Sequence, residues 1–179
     1  MSAQPNSTHG EKLLNRLLRE LPRKQFFFHY EPQLNTAGGQ SSKPDFVVVS
    51  ALYGVLILEV KDWVRITGGD QPLIHTVRST GAAMSHENPI LTAQRYAYDL
   101  KKRFEARVEL WEQYKGRTSL KFPWQVMVAL PRINQRVIEQ FEKKGIWPQG
   151  VVIGKEGLKS ADLLHQFINR LPWKFRLDQ

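Results

Sequence analysis

The sequence predicts an α/β fold in which a mixed β-sheet carries helices on both faces. Three patterns point there. Phe46–Val49 and Val55–Val60 are short, strongly apolar runs around a tight turn at Ser50–Gly54, the signature of an antiparallel hairpin. Trp124–Leu130 and Gly150–Gly154 enclose a helical stretch between Gln135 and Lys144, and strand, helix, strand implies a parallel crossover. Leu13, Leu14, Leu17, Leu18 and Leu21 recur at helical spacing, so an amphipathic helix ends before Pro22 and covers one sheet face. The near-unbroken apolarity of Val55–Val60 marks a strand covered on both faces.

The other elements follow in order. Phe26–Leu34 reads as a strand and leads into a polar Gly/Ser loop from Asn35 to Lys43. Trp63–Thr67 and Leu73–Val77, split by Gly68, Gly69, Asp70 and Pro72, suggest a second hairpin. Asn88-Pro89 starts a helix, with a side-chain cap and a proline at the first helical position. Ile90, Ala93, Ala97, Leu100 and Phe104 form its core stripe. A last helix spans Ser160 to Leu171 and stops at Pro172.

A chain of 179 residues can bury one real core, and no Pro/Gly/Ser-rich linker divides it, so a single domain over residues 1–179 is expected. Cysteine is absent, which excludes thiol catalysis, disulfides and zinc-thiolate sites and is compatible with a reducing cytoplasm. No cationic, apolar secretory start precedes the first helix, and Phe46–Val60 is too short and too interrupted to span a bilayer. A cytoplasmic protein without membrane attachment is expected, and the Asn6-Ser7-Thr8 sequon then carries little meaning. The net charge of +9, from 26 Lys+Arg against 17 Asp+Glu, favours a polyanionic partner, nucleic acid before membrane. Basic residues cluster at Lys101, Lys102, Arg103 and Arg107, at Lys115, Arg117 and Lys121, and at Arg132, Arg136, Lys143 and Lys144. Each cluster alone reads first as a solvated helix or loop face. His9, His29, His75, His86 and His165 have no paired-ligand helical spacing, and neither a phosphate-binding Gly-rich loop nor a nucleophile elbow occurs, which excludes zincin, P-loop and serine-hydrolase chemistry.

The chemistry concentrates at the hairpin. A turn centred near Leu52 sets Asp45 opposite Glu59, and strand alternation turns Glu59 and Lys61 the same way, so two acids and an amine converge. Adjacent buried carboxylates resist ionisation together, and a divalent cation relieves that conflict; hard oxygen ligands suit Mg²⁺ or Mn²⁺. The plainer alternative is a strand-end ion pair of Glu59 with Lys61 and a turn-capping Asp45. Gln94, Tyr98 and Lys101 share one helix face that reads first as a surface glutamine and a core-edge tyrosine, with binding of phosphate, a metal-bound water or Lys61 as the functional alternative. Thr8-x-x-Glu11 matches a capping box, and Glu11 is also a candidate additional acid. His86 and Glu87 immediately precede the Gln94 helix and are further candidates near the site.

Pro44-Asp45, then Glu59-Val60-Lys61, preceded by a helix with Glu11 and followed by one with Gln94-x-x-x-Tyr98, resemble the PD-(D/E)xK nuclease superfamily. Within it, Gly10-Glu11, Asp45-Phe46-Val47-Val48-Val49, Tyr53-Gly54-Val55, Glu59-Val60-Lys61-Asp62-Trp63 and Asn88-Pro89 with Gln94 resemble the nuclease-related domain, NERD, over roughly residues 10–110. The resemblance implies a restriction-endonuclease-like mixed sheet flanked by helices, and Mg²⁺- or Mn²⁺-dependent hydrolysis of DNA phosphodiester bonds, as an endonuclease, in DNA processing or repair. By position, Asp45, Glu59 and the Val60 carbonyl would hold the metal and Lys61 would orient or activate the attacking water. Gln94 would support that shell, and Glu11 would be an auxiliary acid or second-metal ligand. Tyr98, Lys101, Lys102 and Arg103 form the expected nucleic-acid-binding set. Members of the family occur alone or fused to helicase or kinase-like regions, so a larger parent protein or a helicase partner is compatible with the pattern. The competing expectation is an idle nucleic-acid-binding module that docks such an assembly on DNA.

Overall fold

In the computed structural model, residues 7–35, 41–105, 107–114 and 117–173 are described. Asn6 of the sequon, positions 36–40 of the polar loop, Lys115 and the chain beyond Trp173 lie outside them. In order, the elements are α1 (His9–Glu20), β1 (Phe26–Tyr30), β2 (Leu34–Asn35), β3 (Ser41–Ser42), β4 (Phe46–Ser50), β5 (Gly54–Val60), β6 (Arg65–Gly69), β7 (Leu73–Val77) and β8 (Ala83–Glu87). There follow α2 (Pro89–Glu105), a 3₁₀ turn (Val108–Leu110), β9 (Trp111–Tyr114), β10 (Arg117–Leu120), β11 (Trp124–Leu130), α3 (Gln135–Lys143), β12 (Val152–Gly154) and α4 (Ala161–Arg170).

The central sheet has five strands in the order β1-β4-β5-β11-β12. β4 pairs antiparallel with both β1 and β5, and β11 pairs in parallel with both β5 and β12. The sheet is mixed, as the sequence predicts, and its hairpin has the expected register, Phe46↔Leu58 through Ser50↔Gly54. All seven residues of β5 are buried because both sides are covered. Leu56, Leu58 and Val60 join Leu14, Leu17 and Leu18 of α1 and Leu164 and Ile168 of α4 in the larger core. Val55 and Ile57, with Val126 of β11, pack under Ala93 and Ala97 of α2. Helices therefore cover both faces, in the restriction-endonuclease-like manner. Alternation along β5 puts Glu59 and Lys61 on the α2 side.

Local sequence explains most boundaries. Thr8 and Glu11 form the capping box of α1: the Thr8 hydroxyl accepts from Glu11 N–H and the Glu11 carboxylate accepts from Thr8 N–H. β1 stops at Tyr30, short of the expected Leu34, because Glu31 adopts φ 47° and Pro32 follows. Asn88 accepts at its side-chain oxygen from Ile90 N–H, capping α2 as expected. It also accepts from the Trp147 indole at 3.2 Å and donates to the Gln71 carbonyl at 2.8 Å, so this buried amide ties α2 to the β6–β8 region and to the segment after α3.

The second hairpin differs from expectation. It begins at Arg65 rather than Trp63 and gains β8 as a third strand, in the order β6-β7-β8. β8, Ala-Met-Ser-His-Glu, has little strand propensity and is specified by its pairing with β7, Leu73↔Glu87 through Val77↔Ala83. The β9–β10 hairpin was likewise unmarked by apolar alternation. Among the described residues, no helix is long and apolar enough to cross a membrane.

Gly54 is where β5 meets β11. It has φ +100°, its neighbour Val55 donates to the Pro123 carbonyl at 3.0 Å, and a Cβ on Gly54 would lie 2.0 Å from that same oxygen. Strain and overlap act together at this position, so Gly54→Ala should lower the unfolding free energy by about 3 kcal/mol or more. Denaturant titration against the parent measures this, and a loss under about 1 kcal/mol contradicts the joint described here.

Candidate metal centre and its surroundings

Asp45 lies just outside the β4–β5 ladder and extends it with its side chain. Its backbone carbonyl accepts from Glu31 N–H at 2.8 Å, and its Oδ2 accepts from Val60 N–H at 2.6 Å. The carboxylate thus satisfies a donor on β5 beyond the last paired residues, which fixes its position beside Glu59. Lys61 N–H donates to the Ala129 carbonyl at 3.0 Å, so the other side of this strand end is held by β11. Glu59 has a side chain only 4% exposed, and its Oε1 accepts from Lys61 Nζ at 2.5 Å. Its Oε2 is buried with no hydrogen-bond partner among the described residues.

The electrostatics follow from burial. Desolvation, then the Glu59 charge, push the Asp45 carboxyl up to about 7, against the Val60 N–H and Lys61, which pull it down. Glu59 is also raised, by burial, with Lys61 opposing. Burial by itself would lower Lys61, but the charge and hydrogen bond of Glu59, with Asp45 behind, outweigh it and leave the ammonium raised. The pair of acids therefore retains proton near neutrality although a lysine is in contact. A hard cation is the species that would let both ionise, and the free Glu59 oxygen offers it a ligand already stripped of water.

The other expected residues divide. Glu11 is committed: its Oε2 also accepts from Tyr30 OH at 2.9 Å, in addition to capping α1. It is near enough to raise both Asp45 and Glu59 electrostatically, yet among the described residues no three His, Cys, Asp or Glu converge as one ligand group. Gly10, one residue earlier, brings α1 against the end of β5, where an added Cβ would meet Val60 at 2.9 Å. Gln94 and Tyr98 are exposed on α2, and the Lys102 ammonium sits 4.6 Å from the Tyr98 ring centre. Lys101 lines a shallow apolar pocket with Leu120 and Trp124, on the β11 side of α2. Arg103 is exposed on the same helix.

Of the other neighbours, His86 and Glu87 were candidates in the sequence, whereas Tyr96 was missed. Tyr96 is half-buried and its hydroxyl is raised by burial, then by Glu59 and Asp45. On a helix it points roughly 160° away from Gln94, so the flank of α2 turned to the acids is not the Gln94 flank. Trp63 lies against His86, ring centres 5.2 Å apart, and the imidazole accepts from or donates to Thr76 Oγ1 at 2.9 Å. Burial, then the Lys61 charge, lower His86. Glu87 takes both guanidinium nitrogens of Arg95 at 2.9 Å and the Thr92 hydroxyl, so it braces α2 against β8. Asp62 receives Arg132 at 2.9 Å, joining the strand end to the chain after β11. An aromatic one turn from the core stripe was the available signal for Tyr96; the pairs Asp62–Arg132 and Glu87–Arg95 depend on tertiary contacts that spacing does not encode.

A pH dependence follows with a definite sign. Asp45 moves from 3.8 to about 7 on folding, so the folded state binds the extra proton and its contribution is complete below about pH 4 and lost as pH rises toward 7. In chelator-treated protein, the parent should lose on the order of 2–4 kcal/mol relative to Asp45→Asn across that window. Asparagine keeps an oxygen for the Val60 N–H while removing the charge. Thermal melts of both proteins from pH 4 to 8 measure the difference, and parallel curves contradict the proton-retaining pair.

Comparison with curated proteins found no match, and comparison with solved structures found none. A family model does match: the nuclease-related domain, NERD, over residues 7–131. The match begins at the cap of α1, contains Asp45, Glu59 and Lys61, and continues through β11, beyond the limit near residue 110 that the motifs suggested. With most of its length matched, including every strand of the β4-β5-β11 core, the chain belongs to the nuclease-related domain family.

Proposed function

We propose that the chain is a divalent-metal-dependent deoxyribonuclease, acting as an endonuclease in DNA processing or repair. The observation that carries this reading is the buried Glu59 Oε2, without a partner among the described residues, beside an Asp45 carboxyl held near pKa 7. A structural ion pair would leave neither. Unsatisfied buried charged groups cost stability, and sites that tolerate them are enriched in function.

Asp45, through the oxygen not bound to Val60 N–H, and Glu59, through Oε2, would hold Mg²⁺ or Mn²⁺, with the Val60 carbonyl as a further ligand by family resemblance. The ion, when bound, would lower the pKa of a coordinated water and polarise the scissile phosphate. Lys61 carries a proton firmly, its side chain is 32% exposed and its Nζ contacts Glu59 Oε1, from where it would neutralise charge growing on the phosphate and align the attacking water. Tyr96, rather than Gln94, stands closer electrostatically to the same groups and would orient them. The net charge of +9 supports a polyanionic substrate.

A second reading is a nucleic-acid-docking module without turnover, serving a helicase or repair assembly. It is favoured by two observations: Lys61 already pairs with Glu59, and Glu11 is engaged by Thr8 and Tyr30, so that among the described residues Asp45 and Glu59 are the acids left to a metal.

Circular and linear DNA incubated with Mn²⁺ or Mg²⁺ separate the two. The nuclease reading expects cleavage of circular DNA that chelator abolishes and that Asp45→Ala, Glu59→Ala and Lys61→Ala each reduce by about 10²-fold or more. The docking reading expects salt-sensitive binding indifferent to metal and to Lys61. Binding of Mn²⁺ should also stabilise the fold, by about 2.7 kcal/mol at one hundred times its dissociation constant, and Asp45→Asn should remove that gain.

A further inference from the structure

The sheet face that bears the acids is only partly covered. β1 is the edge strand, and its alternation sends Phe26, Phe28 and Tyr30 into the core with α1 while Phe27 and His29 stand on the opposite face. Directly paired residues share a face, and Val47, the partner of His29, packs in the cluster beneath α2. Phe27 therefore stands on the Asp45 and Glu59 side. It is 70% exposed, and Val49 opposite it is 43% exposed. Isolated exposed apolar residues are ordinary, but these two are paired across strands and form a continuous shelf on the face of the proposed centre.

The shelf is also in register with that centre. Glu31 N–H donates to the Asp45 carbonyl, so four residues of β1 separate Phe27 from the position beside Asp45, roughly 13 Å along the strand. That distance is about four nucleotides at the stacked rise of 3.4 Å, and fewer if the strand is stretched. Bases inside a duplex lie against one another and offer no free face to a protein ring, whereas unpaired bases stack readily on aromatic side chains. The positive charge of the chain supplies the sequence-independent attraction such a strand needs.

Resting on the nuclease reading above, we infer that Phe27, with Val49 beside it, is a stacking platform for an unpaired base, so that the site takes single-stranded DNA in preference to duplex. The strand then runs along β1 and β4 from the ring to the acids.

Binding of fluorescent oligo-dT and of a duplex of equal length, followed by anisotropy in chelator so that nothing is cut, tests this. Phe27→Ala should weaken single-strand binding by roughly 5- to 100-fold and leave duplex binding within about twofold. Phe27→Trp should bind single strands at least as well as the parent. Phe27→Leu, apolar but without a π face, repeats the test should alanine disturb β1, and Val108→Ala, exposed at a site away from the sheet, should change nothing. Unchanged single-strand affinity in both the alanine and leucine variants overturns the platform, as does an equal loss for single and double strands. Sedimentation in which the parent is a dimer and Phe27→Ala a monomer also overturns it, by assigning the shelf to a second copy. Failure of the nuclease reading is distinguishable: a Phe27-dependent single-strand preference in a protein that cuts nothing leaves the platform standing, while cutting that needs Asp45 but ignores Phe27 removes the platform alone.

Discussion

Two carboxyl groups held side by side at the end of β5, largely out of water, form the constraint on which the local structure depends. Removing charge from water is costly, and a buried ion pair recovers that cost only when its remaining lone pairs are met. Asp45 meets one requirement by accepting from Val60 N–H, and Glu59 meets one by accepting from Lys61. The second Glu59 oxygen is left without a partner among the described residues. Such an arrangement persists only if the backbone around it has no alternative. Here β5 is fixed on one side by the full β4 ladder and on the other by β11, with the Gly54–Pro123 contact at its start and the Lys61–Ala129 hydrogen bond just past its end. The strand cannot slide to relieve its charges, because a slip of one residue would turn every buried side chain to the wrong face.

The same strand explains what could be read in advance. Tight turns set hairpin register, and the apolar runs on either side of Leu52 admit one pairing that buries both, so the opposition of Asp45 and Glu59 was legible from residue type and spacing. Helix boundaries were legible where a short polar side chain has a local partner, as at Thr8 with Glu11 and at Asn88 with Ile90. β8 was not, because Ala-Met-Ser-His-Glu becomes a strand through its ladder with β7 and not through its own preference. The flank of α2 turned toward the acids was also hidden. Gln94 and Tyr96 both border the apolar stripe, on opposite flanks, and only the placement of α2 over β5 and β11 decides which flank meets Glu59. For Glu11 the capping role and the acidic role were both readable, and the structure gives the carboxylate two donors, Thr8 N–H and Tyr30 OH, that leave it less free than an open ligand.

Dimensions then account for the open ground beside the centre. An α-helix with its side chains is about 10–12 Å across, and neighbouring strands are about 4.8 Å apart, so a single helix shields roughly two strands. α2 lies over β5 and β11, where Ala93 and Ala97 let it approach closely, and β1 and the far end of β4 are left outside its footprint. The opposite face has no such gap near β1, because α1 and α4 together bury Phe26, Phe46 and Leu58. Asymmetric cover is thus the reason that the acids can be both desolvated and reachable. Glu59 is roofed by the helix, Lys61 stands at the rim, and among the described residues no helix covers the strip of sheet that carries Phe27 and Val49. Had two helices covered that face, the same carboxylates would be sealed in the core, with burial enough to keep them protonated and no route for a substrate.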